Sequence, residues 1–173
     1  YRQPSHVQRS SLMSATLTSC GTFDLFLRQS GLGVYTGLEK LQVESPFDYR
    51  TNAQLVIPAM RADPGDVAAH TQEIVARLPA LVRTRGTLVL FASARQMRSV
   101  YEQMPPALRR ITLMQGTTPK MEMLARHRAA IDRGDSSVLF GLHSMAEGVD
   151  LPGEHCTHVL VAKLPFSVPD SPL

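Results

Sequence analysis

The residues of this chain that are best suited to chemistry lie between Val138 and Gly153. An apolar run from Val138 to Leu142 leads into a polar turn, which contains Glu147, Gly148 and Asp150. Ligands of open α/β sheets lie just past the carboxyl ends of strands. A buried strand followed directly by glycine and carboxylates is therefore typical of a ligand-facing loop. The same spacing also fits an ordinary solvated turn.

Two further segments place hydroxyl groups at the ends of predicted strands. In the first, Ser14 to Leu17, two hydroxyls could link a reaction centre to a neighbouring surface through hydrogen bonds, although Ser-Ala-Thr is more often a helix N-cap. The second, Phe91 to Ser93, ends the central predicted strand. Ser93 is a good N-cap for the next helix and could also contact a phosphate, because helix N-termini attract anions.

Several common catalytic and nucleotide-binding motifs are missing from the sequence. It contains no G-x-x-x-x-G-K-[ST], G-x-G-x-x-G, H-E-x-x-H or G-x-S-x-G. The segment QGTTPK at 115–120 only superficially resembles a phosphate loop, because it has one glycine and Pro119 lacks a backbone donor. Cys20 and Cys156 are far apart and form no C-x-x-C pair, so we expect neither a disulfide framework nor a metal site.

Length and composition predict a single globular domain. The chain has 173 residues, of which 43% are hydrophobic and 19% charged, and its net charge is +3 with a pI of about 9.1. These values allow a sizeable core, exclude a disordered chain and are compatible with nucleic-acid binding. The sequence has no apolar run of about 18 residues that would predict a membrane span. From the isolated cysteines and the initial Tyr1 we expect a cytoplasmic piece of a longer protein.

Hydrophobic spacing predicts strands that alternate with helices. Strands are predicted at Ser10 to Met13, Leu41 to Val43, Gln54 to Ile57, Thr87 to Ala92, Ile111 to Met114, Val138 to Leu142 and His158 to Ala162. Helices are predicted at Thr22 to Ser30, at Asp66 to Val82, after a Ser93 cap, and after a Thr118 cap with Pro119 in the first position. This alternation indicates an α/β fold with a parallel sheet covered by helices on both faces.

Three finer predictions concern the helices. Pro79 should kink the helix at Asp66 to Val82 or end it early. The helix after Thr118 should bury one stripe of side chains: Met121, Leu124, Ala125 and Ile131. Basic residues are frequent in the middle third of the chain, where they fit either a DNA-facing surface or a solvated helix face: Arg95, Arg98, Arg109, Arg110, Lys120, Arg126 and Arg128.

Three segments in one order carry a family resemblance. SATL, LVLFAS and VLFGLHSMAEGVDLPG together resemble the second motor domain of superfamily 2 helicases of the XPD-like, DinG type, over essentially the whole chain. The resemblance implies a RecA-like domain of the P-loop NTPase type. It assigns residues 1–20 to the end of a first motor domain and residues 21–173 to the second.

The resemblance also implies roles for individual residues. SATL matches the motif that couples nucleotide state to strand movement: Ser14, Ala15, Thr16 and Leu17. A second motif implies nucleotide contacts at the cleft between two motors: Glu147, Gly148 and Asp150. DNA contacts are implied at the ends of two strands: Phe91, Ser93, His143 and Ser144.

The family's activity is ATP-dependent translocation on single-stranded DNA, 5′ to 3′, with duplex unwinding in DNA repair and replication. The resemblance implies that ATP and Mg²⁺ are held mainly by a first motor domain and that the arginine finger follows this chain. We therefore expect the chain alone to be inactive. An iron–sulfur cluster in the parent and a single-stranded DNA-binding protein as partner are also compatible with the family.

Two other function classes remain open from the sequence. One is a non-catalytic RecA-like module that binds a protein partner and no nucleic acid. The other is a Rossmann-like transferase, which would need a glycine-rich first loop and an acidic residue about 20 positions later. The sequence supports neither of these two features convincingly.

Overall fold

The computed structural model describes residues 10–14 and 17–164, and the chain divides into two compact units between Val56 and Ile57. We call them the N-terminal unit and the sheet unit and describe each by itself. The boundary predicted between residues 20 and 21 stays a prediction.

The N-terminal unit contains short helices. Helix α1 spans Asp24–Ser30, a 3₁₀ turn spans Leu32–Val34, and α2 spans Tyr49–Asn52. The predicted helix at Thr22 to Ser30 is thus confirmed from Asp24 onward. Gly31 ends it in the left-handed region at φ 71°, where glycine carries no steric penalty.

Three predicted strands are wrong. Residues 10–13, 41–43 and 54–57 form no strand. Their apolar side chains lie in solvent, with Leu41 at 82% and Ile57 at 84% exposure. A strand needs a hydrogen-bonded neighbouring strand as well as β-branched residues. In the described part of the chain, none of these three segments has such a neighbour. In the segment between the second and third of them, Asp48 caps α2 by accepting hydrogen bonds from two main-chain N–H groups.

The sheet unit is a parallel α/β layer structure, as predicted. Its elements in chain order are α3 (Val67–Leu81), β1 (Gly86–Leu90), α4 (Ala94–Gln103), α5 (Pro106–Arg110), β2 (Thr112–Met114), α6 (Lys120–Asp132), β3 (Ser137–Gly141) and β4 (His158–Val161). The strand order is β2-β3-β1-β4 and every pairing is parallel. Two 3₁₀ turns, His143–Met145 and Gly153–Cys156, lie between β3 and β4.

Helices cover both faces of the sheet. Val89 and Phe140 face one way and pack with α3, α4 and α5, whereas Leu88 and Leu139 face the other way and pack with α6. Alternate residues of a strand point to opposite faces, so the consecutive apolar residues of β1 and β3 fill both layers. The predicted fold class is confirmed.

Two helix predictions need correction. Pro79 does not end α3 early: the helix continues to Leu81, and with only two residues after the proline little hydrogen bonding remains to be lost. The alternative, a kink at Pro79, stays a prediction. Thr118 does not cap α6: Pro119 occupies the N-cap position and no side chain caps the helix.

The predicted stripe of α6 is also partly wrong. Met121 is 72% exposed and Ala125 is exposed, while Leu124 and Ile131 are buried as predicted. Met123 and His127 occupy the inner face instead. The predicted stripe is partly wrong because a pattern of hydrophobic residues does not indicate that a histidine lies on the buried face of a helix.

Among the described helices, no apolar stretch is long enough to span a bilayer.

Candidate functional site

The carboxyl ends of the sheet strands meet at one edge of the sheet unit. Ser93 follows β1, Gln115 follows β2 and Ser144 follows β3. Because the strands are parallel, this edge is where a ligand of an open α/β sheet is expected. The loop singled out in the sequence starts here, at the end of β3.

Gln115 joins the ends of β2 and β3. Its side-chain oxygen accepts a hydrogen bond from the Leu142 N–H at 2.8 Å, and its amide nitrogen donates to Ser144 Oγ at 2.9 Å. Its own N–H donates to the Phe140 carbonyl at 2.9 Å. One side chain therefore fixes the first residues after the strand on both their main-chain and side-chain groups.

Gly141 lets the chain fold back on the strand end. The turn His143–Met145 is closed by the Met145 N–H, which donates to the Leu142 carbonyl at 2.8 Å. A Cβ at Gly141 would lie 2.6 Å from Cβ and Cγ of Met145, a side chain that is only 1% exposed. The tight return of the chain thus requires glycine at this position.

Helix α6 holds the loop along its length through three main-chain carbonyls. Lys120 Nζ donates to Ser144 O at 3.1 Å, an Arg128 guanidinium nitrogen donates to Asp150 O at 2.6 Å, and His127 Nε2 donates to His155 O at 2.7 Å. One helix therefore fixes the backbone of the loop. Of these three residues, Lys120 and Arg128 belong to the basic set predicted from the sequence, and the sequence does not single out His127.

His127 is the buried member of this set. Its side chain is 0% exposed, and Nδ1 lies 2.8 Å from Ser137 Oγ. Burial lowers the pKa of His127, which favours the neutral ring. Since a carbonyl can only accept, Nε2 carries the proton and Nδ1 accepts from the Ser137 hydroxyl. His127 thereby ties α6 both to the start of β3 and to the end of the loop.

The loop presents two carboxylates without protein partners. Glu147 and Asp150 are exposed, and neither carboxylate makes a hydrogen bond or ion pair within the described part of the chain. Between them, Gly148 adopts φ 65°, and a Cβ there would meet open space, so the requirement is conformational rather than steric. Val149 and Leu151 are half-buried and pack against the α6 side of the sheet.

Glu73, in the same unit, is a carboxylate with a structural role and contrasts with the unpaired Glu147 and Asp150. It accepts hydrogen bonds from the Arg61 and Ala62 N–H groups, and it pairs with Arg77 at 2.7 Å. These N–H groups lead the causes that lower the pKa of Glu73. Glu147 and Asp150 have no such contacts, which leaves their acceptor atoms available to a ligand.

The predicted DNA-contacting residues divide into available and buried ones. Ser93 caps α4 by accepting from the Gln96 N–H at 3.4 Å, and its hydroxyl hydrogen remains free to donate. His143 and Ser144 are exposed. The prediction for Phe91 needs correction. Its side chain is 2% exposed and its ring centroid lies 5.0 Å from that of Phe140, so the side chain is not available to DNA. Strand parity places it beside Val89, on the core side.

The first predicted motif, SATL, belongs to the N-terminal unit. Ala15 and Thr16 lie outside the described residues. Ser14 belongs to the N-terminal unit, where it is exposed and has no regular secondary structure.

The seven basic residues of the middle third are not one surface. Arg109 donates to the Glu102 carbonyl and, at 3.0 Å, to the Met104 carbonyl, so it caps the end of α4. Lys120 and Arg128 hold the loop. Arg95 and Arg98 lie on α4 just after Ser93 and line an open groove of about 440 Å³. The DNA-facing interpretation is thus restricted to part of the predicted set.

No metal site is found among the described residues, where no three His, Cys, Asp or Glu side chains cluster. Burial raises the pKa of Cys156, whose thiol lies 3.7 Å from the His158 carbonyl. Such a thiol is protonated at neutral pH and is a poor metal ligand.

The family model described as the helicase C-terminal domain matches residues 78–173. The chain is 36% identical over 166 residues to the ATP-dependent DNA helicase DinG of Photobacterium profundum, covering 94% of this chain and 24% of that protein. It is 37% identical over 165 residues to the protein of the same name from Salmonella choleraesuis, covering 92% and 23%. The Escherichia coli K12 protein is 36% identical over 165 residues, with the same coverage. The chain spans about a quarter of the length of these curated relatives.

Proposed function

This chain belongs to the helicase C-terminal domain family, and from that membership we propose that it is the second motor domain of an ATP-dependent DNA helicase. The parent enzyme would translocate 5′ to 3′ on single-stranded DNA and unwind duplexes during repair or replication. ATP would bind between this domain and a first motor domain, and closing of that cleft would move one domain along the strand. The relatives named above support the helicase assignment.

The observation that carries the proposal is the loop after β3. Its backbone is fixed by Gln115 and by α6, while the carboxylates of Glu147 and Asp150 have no partner in the described residues. A fixed backbone with unpaired polar side chains is suited to ligand binding, because little further ordering is needed when the ligand arrives.

The nucleotide would use this loop as one wall of its site. Glu147 and Asp150 would accept hydrogen bonds from ribose hydroxyls or orient an arginine of the facing domain. The sequence has no glycine-rich phosphate loop, so we assign the phosphates and Mg²⁺ mainly to the first motor domain. Bound Mg²⁺ neutralises charge on the phosphates during phosphoryl transfer.

DNA would be held at the same edge through its phosphates. The Ser93 and Ser144 hydroxyls and His143 would donate to phosphate oxygens, and Arg95 and Arg98 would add positive charge beside Ser93. Contacts of this kind position a strand without reading its bases, as translocation along arbitrary sequence requires.

Replacing Asp150 with alanine in the full-length parent tests the proposal. We expect DNA-stimulated ATP hydrolysis to fall about tenfold or more, because a hydrogen bond to a charged group contributes roughly 1.5–3 kcal/mol. The measurement is steady-state ATPase with single-stranded DNA, together with unwinding of duplexes carrying either a 5′ or a 3′ tail. Glu122→Gln is the matched control, since Glu122 is an exposed carboxylate on α6 outside the site.

Unchanged ATPase and unwinding in Asp150→Ala would instead favour the non-catalytic interaction module. Unwinding of the 3′-tailed duplex alone would leave the helicase assignment standing and refute the direction.

The 173-residue chain by itself is expected to hydrolyse no ATP above background. An arginine finger contributes roughly 10³–10⁵ in rate, and the family places both this group and the phosphate loop outside the matching segments. A phosphate-release assay on the purified chain, with and without single-stranded DNA, measures this. Sustained turnover would contradict the division of the site between two domains.

A further inference from the structure

An open groove of about 580 Å³ lies at the edge of the sheet opposite Ser93 and Ser144. Ile111, just before β2, and Ser137, the first residue of β3, mark the amino ends of the strands that border it. Helix α6 forms its other side. The residues proposed above to contact nucleotide or DNA do not line this groove, although Arg110 and Arg126 belong to the basic set predicted from the sequence.

One face of α6 supplies the groove with cations and small side chains. Arg126, Ala129, Ala130 and Arg133 are spaced i, i+3, i+4 and i+7, so they share one side of the helix. The two alanines leave room between the two arginines. Arg110, at the end of α5, lines the same groove.

The positive charge of the groove is largely uncompensated. The guanidinium groups of Arg110 and Arg126 make no hydrogen bond or ion pair within the residues that the structure describes. Arg133 pairs with Asp135 at 3.4 Å, but both side chains are more than 60% exposed, and exposed pairs of this kind contribute little. Three arginines therefore face a single carboxylate.

We propose that this groove binds an acidic peptide segment of a partner protein, with an apolar side chain inserted between its carboxylates. Arginine binds carboxylates through two parallel hydrogen bonds, which makes it well suited to such a ligand. Ile111, Leu113 and the two alanines give the groove an apolar lining for the inserted side chain.

The spacing of the arginines sets the spacing of the acidic residues. Arg133, the C-cap of α6, lies seven positions after Arg126, which corresponds to a rise of about 10 Å. A peptide in the polyproline II conformation advances about 3.1 Å per residue with three residues per turn, so carboxylates three residues apart lie on one side and about 9 Å apart, which matches this separation. A single strand of nucleic acid is less well suited, because such strands stack on aromatic side chains and no lining residue is aromatic.

This inference goes beyond the helicase function and does not depend on it. The groove lies at the amino ends of β2 and β3, whereas Ser93 and Ser144 follow the carboxyl ends of β1 and β3, and neither Glu147 nor Asp150 lines the groove. Variants in the groove should therefore leave the nucleotide and DNA sites intact.

Fluorescence anisotropy of the 173-residue chain with a labelled acidic peptide tests the proposal. The probe is a peptide of about ten residues with two aspartates three positions apart and a leucine between them. A peptide with asparagines in place of the aspartates is its control. We expect saturable binding of the acidic peptide only, with Arg110→Glu combined with Arg126→Glu raising Kd at least about tenfold.

Two further variants guard against a trivial result. Arg28→Glu combined with Lys40→Glu makes the same change in net charge in the N-terminal unit and should leave Kd unchanged. Asp135→Asn removes the carboxylate that competes for Arg133 and should lower Kd by a few-fold. Thermal melting of each variant verifies that it is folded.

Three results would overturn the proposal. They are equal weakening by the groove pair and the control pair, no tightening by Asp135→Asn, and displacement of the acidic peptide by oligothymidylate in a manner that requires Arg110 and Arg126. The last result would identify the groove as a nucleic-acid surface instead.

Discussion

Replacing Gly86 with alanine is expected to lower the free energy of unfolding of the sheet unit by about 3 kcal/mol or more, the upper part of the range for overpacked positions. Gly86 is the first residue of β1, and the 3₁₀ turn Gly153–Cys156 crosses directly over it. A Cβ there would overlap the main-chain oxygens of Glu154 and His155 and lie 2.5 Å from the carbonyl carbon of His155. Backbone atoms cannot swing aside as a flexible side chain does.

The displacement would spread because the turn is held on both sides. The Thr157 N–H donates to the Gly86 carbonyl at 3.2 Å, and the His155 carbonyl accepts from His127. A loss of about 3 kcal/mol is a large fraction of the 5–15 kcal/mol that stabilises a typical domain.

Urea unfolding followed by circular dichroism measures the effect as a shift of the transition midpoint. Gly37→Ala is the matched control, because no atom lies within 4 Å of a Cβ at Gly37 and its φ is not in the left-handed region. Equal midpoints for Gly86→Ala and Gly37→Ala would contradict the prediction, because they would show that the turn Gly153–Cys156 leaves room for a Cβ at Gly86.

The sheet unit was predictable because its signals are local. The apolar runs at β1 and β3 and the Ser93 cap depend on neighbouring residues alone, and both strands and the cap are present. Exposed carboxylates at Glu147 and Asp150 follow in the same way from a polar turn after a buried strand.

What the sequence missed depends on contacts between distant residues. Gln115 binds across 27 positions to Leu142, and His127 binds across 28 positions to His155. The position of Gln115 directly after a strand indicates a polar side chain at the edge of the sheet. The sequence of its segment, QGTTPK, resembles a phosphate loop and does not reveal this contact. The three strands wrongly predicted at 10–13, 41–43 and 54–57 have the same cause, because the sequence of a strand does not specify its pairing partner.

Replacing His127 with phenylalanine is expected to lower the free energy of unfolding by roughly 2–4 kcal/mol, since two buried groups each lose a hydrogen bond. The aromatic ring retains most of the volume but leaves the Ser137 hydroxyl and the His155 carbonyl without their partner. His127→Gln should be less harmful, because an amide can still donate to one group and accept from the other.

The same histidine gives a pH dependence whose sign follows from its lowered pKa. Burial is the main cause, and the nearby charges of His155 and Arg128 also lower the pKa of His127 from 6.5, against the opposing effect of the His155 carbonyl. Below pH 6.5 His127 is protonated in the unfolded chain but not in the folded chain. Its contribution to the free energy of unfolding is therefore fully present above pH 6.5 and is lost as the pH decreases. The slope from this one group approaches about 1.4 kcal/mol per pH unit.

Urea midpoints of the wild-type chain and His127→Gln, compared from pH 5 to pH 8, isolate that contribution from those of the other histidines. The wild type should lose more stability than the variant as the pH falls below 6.5, and the two curves should run parallel above it. Parallel curves over the whole range would mean that His127 accepts a proton in the folded state. In that case Nδ1 could no longer accept from the Ser137 hydroxyl, whereas Nε2 would still donate to the His155 carbonyl, so α6 would keep its attachment to the loop and change its hydrogen bond to the start of β3.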